Sequence, residues 1–196
     1  MKKYFTVKVT SAALANNSTV SATSVTLGNA ITVKGAATGG TAPYKYAFFY
    51  KASTASTWTT KQDFSTTASV SIKFTGTGTK DVCVKVKDNT GTVVKKYFTV
   101  KVTNAALANT SKVSATSVTL GNSITVKCAA TGGTSPYKYA VYYKASSSDT
   151  WTEKQAFSTT TSTSIKFAGK GTKDVCVKVK DNAGTIVKKY FTITVK

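Results

Sequence analysis

KDVCVKVKDNTGTVVKKYFTVKV, running from Lys80 to Val102, is the stretch whose reading decides the fold. Val82, Val84 and Val86 recur at every second place, the period of a strand with one buried face, and Lys85 and Lys87 fall on the other. Asp88-Asn89-Thr90-Gly91 reads as a tight turn, with Gly91 free to take the positive φ that closes such loops. The returning strand puts Phe98, Val100 and Val102 on one side and Tyr97, Thr99 and Lys101 on the other. The same hairpin returns as KDVCVKVKDNAGTIVKKYFTITV, Lys173 to Val195. Two such hairpins announce a repeated β-module.

Pairing residue i with residue i+93, from Lys2/Lys95 to Thr103/Lys196, leaves 22 of 102 pairs different. That period is too long for a solenoid unit and suits independent beads in a tandem array. KKYFTVKV begins at Lys2 and again at Lys95, and Lys188 opens a close copy, KKYFTITV. Two modules therefore carry one surplus strand. The short turns at Asp88–Gly91 and Asp181–Gly184 tie this strand to the one before it, and strands joined by short loops usually pair. The strand closes its module, which leaves Lys2–Val9 as the orphan. Residues 1–17 read as the closing strand of a preceding repeat plus a linker, 18–103 as the first module and 104–196 as the second. The linker is expected at Thr103–Thr110, with Ser11–Asn17 its counterpart. The Met-Lys-Lys opening imitates a secretion signal, but Thr6, Lys8 and Thr10 interrupt its middle and the same residues recur inside the chain.

At 196 residues the chain accommodates two modest domains, each large enough for its own core. Thr, Ser, Val, Lys, Ala and Gly dominate, the vocabulary of strands and turns. Seven strands are expected in the first module, near Thr19–Thr26, Ala30–Ala37, Tyr44–Lys51, Trp58–Phe64 and Ala68–Phe74, followed by the two of the hairpin. Seven short strands at this spacing predict an all-β fold of two tandem immunoglobulin- or fibronectin-III-like β-sandwiches, plus the orphan N-terminal strand. On the third strand Tyr44, Tyr46, Phe48 and Tyr50 share one face, and Lys45, Ala47, Phe49 and Lys51 the other. The tyrosine row is expected to face the core, its hydroxyls needing partners there.

GGTAPYKYAFFYK, then a Trp, then VCVKVKDNTGTVVKKYFTVKV resembles the immunoglobulin-like "triple tyrosine motif" repeats of large extracellular proteins from Gram-positive anaerobes. The likeness covers nearly all of both modules. It implies a seven-stranded sandwich in a cell-surface or secreted protein, used as a spacer beside other domains, with no catalytic residues to transfer.

The net charge is +20, carried by lysine alone; arginine and histidine are absent and only seven acids are present. Without histidine or a close carboxylate pair, general acid–base catalysis lacks actors, and zinc and calcium sites lack ligands. No catalytic residue, cofactor or metal is expected. No apolar run approaches a membrane span of about 20 residues. Lys45, Lys51, Lys85, Lys87, Lys95 and Lys101 all point outward on one sheet, with Lys138, Lys144, Lys178 and Lys180 their counterparts. This face reads either as a solvated surface that guards against stacking or as an attractor for anionic wall polymers and acidic glycans. Missing arginine argues against specific nucleic-acid recognition. Trp58 and Trp151, with Phe49 or Tyr142 nearby, read either as covers of the core edge or as stacking platforms for sugar rings. Cys128 and Cys176 stand where an immunoglobulin disulfide would join, but parity separates them: Cys128 follows Ile124 and Val126 inward, whereas Cys176 alternates with Val175 and Val177. Cys83 lacks a partner, because Gly35 occupies the site equivalent to Cys128, so free thiols are expected. Phe5, Val7 and Val9 give the orphan strand an apolar face, which either frays or pairs head-to-tail with a neighbouring copy. The whole reads as a non-catalytic repeat of an extracellular stalk or fibre, with adhesion through the lysine face or tryptophan edge as the alternative.

Overall fold

The computed structural model describes residues 2–7 and 12–196, and among them every regular element is a β-strand. The chain divides into two units between Thr103 and Asn104. In the first, β1 (Ala15–Asn16), β2 (Thr19–Val20), β3 (Ser24–Thr26), β4 (Ala30–Lys34) and β5 (Ala37–Thr38) precede β6 (Lys45–Ala52) and β7 (Thr59–Ser65). They are followed by β8 (Ser69–Lys73), β9 (Gly78–Lys87) and β10 (Val93–Thr103). The second unit repeats this order with β11 (Ala108–Asn109), β12 (Lys112–Val113), β13 (Ser117–Val118), β14 (Ser123–Lys127) and β15 (Ala130–Thr131). It ends with β16 (Lys138–Ala145), β17 (Thr152–Ser158), β18 (Ser162–Lys166), β19 (Gly171–Lys180) and β20 (Ile186–Val195).

Each unit is a sandwich of a five-stranded sheet, β3-β10-β9-β6-β7 or β13-β20-β19-β16-β17, on a three-stranded sheet, β2-β4-β8 or β12-β14-β18. β9 is the central strand of the larger sheet. Val82, Val84 and Val86 point inward, and Val82 and Val84 pack with Ile31, Val33, Phe48, Ile72 and Val100 in the first core. Tyr46 and Tyr50 pack against that core, and the Tyr44 hydroxyl donates to the carbonyl of Gly39 at 2.7 Å. The inward tyrosine row is therefore as expected, and the Tyr44 hydroxyl finds a backbone partner. The buried residues of the second core differ by one change that removes volume, Val141 for Phe48, and two that add it, Cys128 for Gly35 and Ile193 for Val100.

Three expectations need correction. The strand read at Thr19–Thr26 is two strands in different sheets: β2 pairs antiparallel with β4, while β3 runs parallel to β10, Val25 opposite Val102. The residues read as linker belong to the sandwiches. β1 pairs with β5 and β11 with β15, and the Asn16 side chain donates to the carbonyl of Val84 at 3.0 Å, as Asn109 does to Val177 at 2.9 Å. Of the expected orphan strand, Lys2–Val7 forms no strand, and Tyr4, Phe5 and Val7 are exposed; Val9 lies outside the described residues.

Asp88 and Asp181, read as turn residues, are more than that. Each is buried and clamps its hairpin to the Gly-Gly loop of the same module. Asp88 accepts from the Thr90 hydroxyl at 2.7 Å and from the backbone N–H groups of Thr41, Thr90 and Thr92. Hydrogen bonding from the Thr90 side chain and those N–H groups holds its carboxyl below the usual aspartate range. For Asp181 the N–H of Thr134 is the leading cause. A carboxyl depressed in the folded state contributes stability above its unfolded pKa of about 3.9, and that contribution is lost as pH falls through the folded value. Chemical denaturation from pH 6 to pH 2 should show stability falling below about pH 4, and the D88N/D181N double variant should flatten that fall.

The Gly-Gly loops tolerate no side chain. Gly39 has φ +64°, and a Cβ there would sit 2.2 Å from the carbonyl oxygen of Ala13. Gly39→Ala should destabilise the first module by roughly 1–2 kcal/mol from the left-handed backbone alone, and more from the clash. Calorimetry should then show the first module's transition lowered and the second's unchanged.

Candidate binding surface

The outward face of the five-stranded sheet is organised in rungs, because residues directly opposite on β6, β9 and β10 share a side. One rung is Lys51, Asp81 and Thr99; the next is Phe49, Cys83 and Tyr97; the next is Ala47, Lys85 and Lys95; the last is Lys45, Lys87 and Val93. The second module repeats this as Lys144-Asp174-Thr192, Tyr142-Cys176-Tyr190, Ala140-Lys178-Lys188 and Lys138-Lys180-Ile186.

The first rung is structural. Lys51 pairs with Asp81 at 3.4 Å, donates to the carbonyl of Ala55 at 2.8 Å and lies 5.4 Å over the Trp58 ring. Lys144 does the same with Asp174, Ser148 and Trp151. They therefore hold the β6–β7 and β16–β17 loops, with their charge already spent. The predicted lysine face consequently loses Lys51 and Lys144 as anion contacts.

The remaining rungs carry unpaired charge. Lys85 faces Lys95, and Lys45 faces Lys87; Lys178 faces Lys188, and Lys138 faces Lys180. The ion pairs among the described residues involve none of these eight. Like charges directly opposite in a sheet are destabilising. Lys85 and Lys178 lie over Phe49 and Tyr142 at 4.4 and 4.3 Å, which aims their ammonium groups toward the aromatic rung. Lys101 stands apart, next to Thr79 and Ser24.

The tryptophans belong to this face and to neither core cluster. The Trp58 ring lies 6.1 Å from that of Tyr97, tilted by 48°, and the Trp151 ring 6.1 Å from that of Tyr190, tilted by 49°. Their reading as covers of the core edge is thereby corrected: they cover the outer side of the sheet. A depression of about 360 Å³ lies between Phe49, Trp58, Tyr97, Lys85 and Lys95. Its counterpart between Tyr142, Trp151, Tyr190, Lys178 and Lys188 measures about 260 Å³. The lysine face and the tryptophan edge, two separate candidates in the sequence, thus meet in one place per module. Tyr97 and Tyr190, 59% exposed, complete it and were not singled out by sequence reasoning. Their signal was present, since an aromatic on the lysine-bearing side of a strand has no core to enter.

Under the aromatics lie two of the three thiols, and all three are free and buried. Cys176 sits on the outward side, as parity predicts, while Cys128 packs in the second core, so no bridge joins them. An outward position did not leave Cys176 wet; the tyrosine and tryptophan shield it. Burial pushes the Cys128 thiol up to about 11. It also raises Cys83 and Cys176, against hydrogen bonding from Tyr97 and Tyr190 and the pull of flanking lysines.

No family model and no curated protein matches the chain. Solved structures similar to it include the fibronectin(III)-like modules of Clostridium thermocellum CbhA, at 14% identity over 94% of each chain and a TM-score of 0.35. An ice-binding, Ca2+-stabilized adhesin of an Antarctic bacterium aligns at 20% identity and a TM-score of 0.35, over 93% of this chain and 49% of its own. Murine CEACAM1b aligns at 13% identity and a TM-score of 0.34, over 92% of this chain and 100% of its own. The assignment as immunoglobulin- or fibronectin-III-like sandwiches rests on the strand order described above. Among the described residues no helix is long and apolar enough to cross a membrane.

Shielded thiols with raised pKa values hold little reactive thiolate. At pH 8 a disulfide reagent should titrate all three cysteines in denaturant and almost none in the native protein, and reduction should leave the intact mass unchanged.

Proposed function

We propose that the chain is a non-catalytic structural repeat of an extracellular protein, a spacer that sets another domain away from a bacterial surface. The observation that carries this reading is the absence of free chain at the boundary. Thr103 pairs with Thr26 in β3, and its carbonyl accepts from the N–H of Leu27 at 2.7 Å. The very next residue, Asn104, donates its side chain to Thr134 of the second module at 3.1 Å, and Ala105 accepts from the N–H of Gly133. A single peptide bond thus separates residues hydrogen-bonded within different sandwiches. The duplicated hydrogen bonds, down to Asn16/Asn109 and Asp88/Asp181, preserve this architecture in each copy.

The two buried acids are committed to backbone donors, which fits a structural role better than catalysis. The resemblance to triple-tyrosine repeats accords with placement at a cell surface or in a secreted protein. Partners on this reading are further copies of the module in a longer array. Spin labels at exposed Thr66 and Thr159, introduced as cysteines while the native thiols stay buried, test it. A narrow distance distribution that broadens when a six-residue Gly-Ser insert follows Thr103 is the expected result. A broad distribution without the insert would remove the spacer reading.

A further inference from the structure

We infer that the outward face of the five-stranded sheet binds acidic polysaccharide, through pyranose rings bearing carboxylates, and that the first module is the stronger of the two sites. This goes beyond the spacer reading and does not depend on it. Three observations point the same way. Four pairs of lysines are placed directly opposite one another, an arrangement that costs stability unless an anion lies between them. Each module sets one such pair, Lys85 and Lys95 or Lys178 and Lys188, against an aromatic rung that also lines the same depression. Aromatic side chains present an apolar body to a sugar ring while lysine supplies point charge to its acid group. The combination recurs in both modules although 22 aligned positions have changed.

The modules also differ where the ligand would lie. Thr60 lines the first depression, and its counterpart is Glu153, which stands directly opposite Tyr142 in the sheet register. A carboxylate there repels an acid group. The geometry therefore assigns the weaker site to the second module, and Glu153→Thr should strengthen it.

Titration calorimetry with oligogalacturonate at 0.15 M salt tests the idea, with neutral oligoglucose and single-stranded DNA as comparison ligands. The quadruple variant K85Q/K95Q/K178Q/K188Q should lose roughly tenfold in affinity. The control K34Q/K73Q/K127Q/K166Q removes the same charge from exposed positions of the three-stranded sheets and should lose less than about threefold. Glu153→Thr should raise affinity, and Trp58→Phe, which keeps the thiol covered, should lower it. Equal losses in the two quadruple variants, equal or tighter binding of DNA, or no binding of oligogalacturonate would each overturn the proposal. None of these outcomes bears on the distance measurement that tests the spacer.

Discussion

The structure depends on the side-to-side alternation of β9 and its counterpart β19. Each is the middle strand of its larger sheet, hydrogen-bonded on both sides, so its register is set twice. A slip by one residue would exchange Val82, Val84 and Val86 for Cys83, Lys85 and Lys87. That exchange would bury two lysines and expose three valines, which no neighbouring contact could offset. The same alternation orders both surfaces of the sheet. The inner one becomes a close-packed core, and the outer one becomes a ladder of ion pair, aromatic rung and lysine rungs.

The outer ladder shows how one residue type takes on different roles by position. Lys51 stands beside an acid and a tryptophan and holds a loop. Lys85, two rungs away, stands opposite another lysine and beside a phenylalanine. A net charge of +20 is not a uniform coat but a set of placements, some satisfied and some not. Lys85 and Lys178, among the unsatisfied ones, lie next to the exposed aromatics.

The thiols carry a similar lesson. Parity places Cys176 with the lysines, and in a bare sheet that would mean exposure. Instead Tyr190, Trp151 and Tyr142 close over it. Cys83 is shielded in the same way by Tyr97, Trp58 and Phe49. The sandwich needs no bridge between its sheets, because Ile31, Val33 and Ile72 on one side and Phe48, Val82 and Val84 on the other already supply the packing.

From the residues alone one could read the β class, the two modules, the inward valines and tyrosines, the hairpin turn and the separation of Cys128 from Cys176. All are local or periodic properties, and period two with turn residues specifies them. The tertiary structure decided the rest, because it depends on partners far apart in the chain. Nothing near Ser24 reveals that β3 leaves its neighbours to run parallel to β10, with Ser24 opposite Lys101 and Val25 opposite Val102. Nothing in TNAALANT shows that Asn109 reaches Val177 and makes strand of an apparent linker. Likewise, only folding brings Trp58, Tyr97 and Lys85 around one depression, since cross-strand neighbours are set by register and not by spacing in sequence.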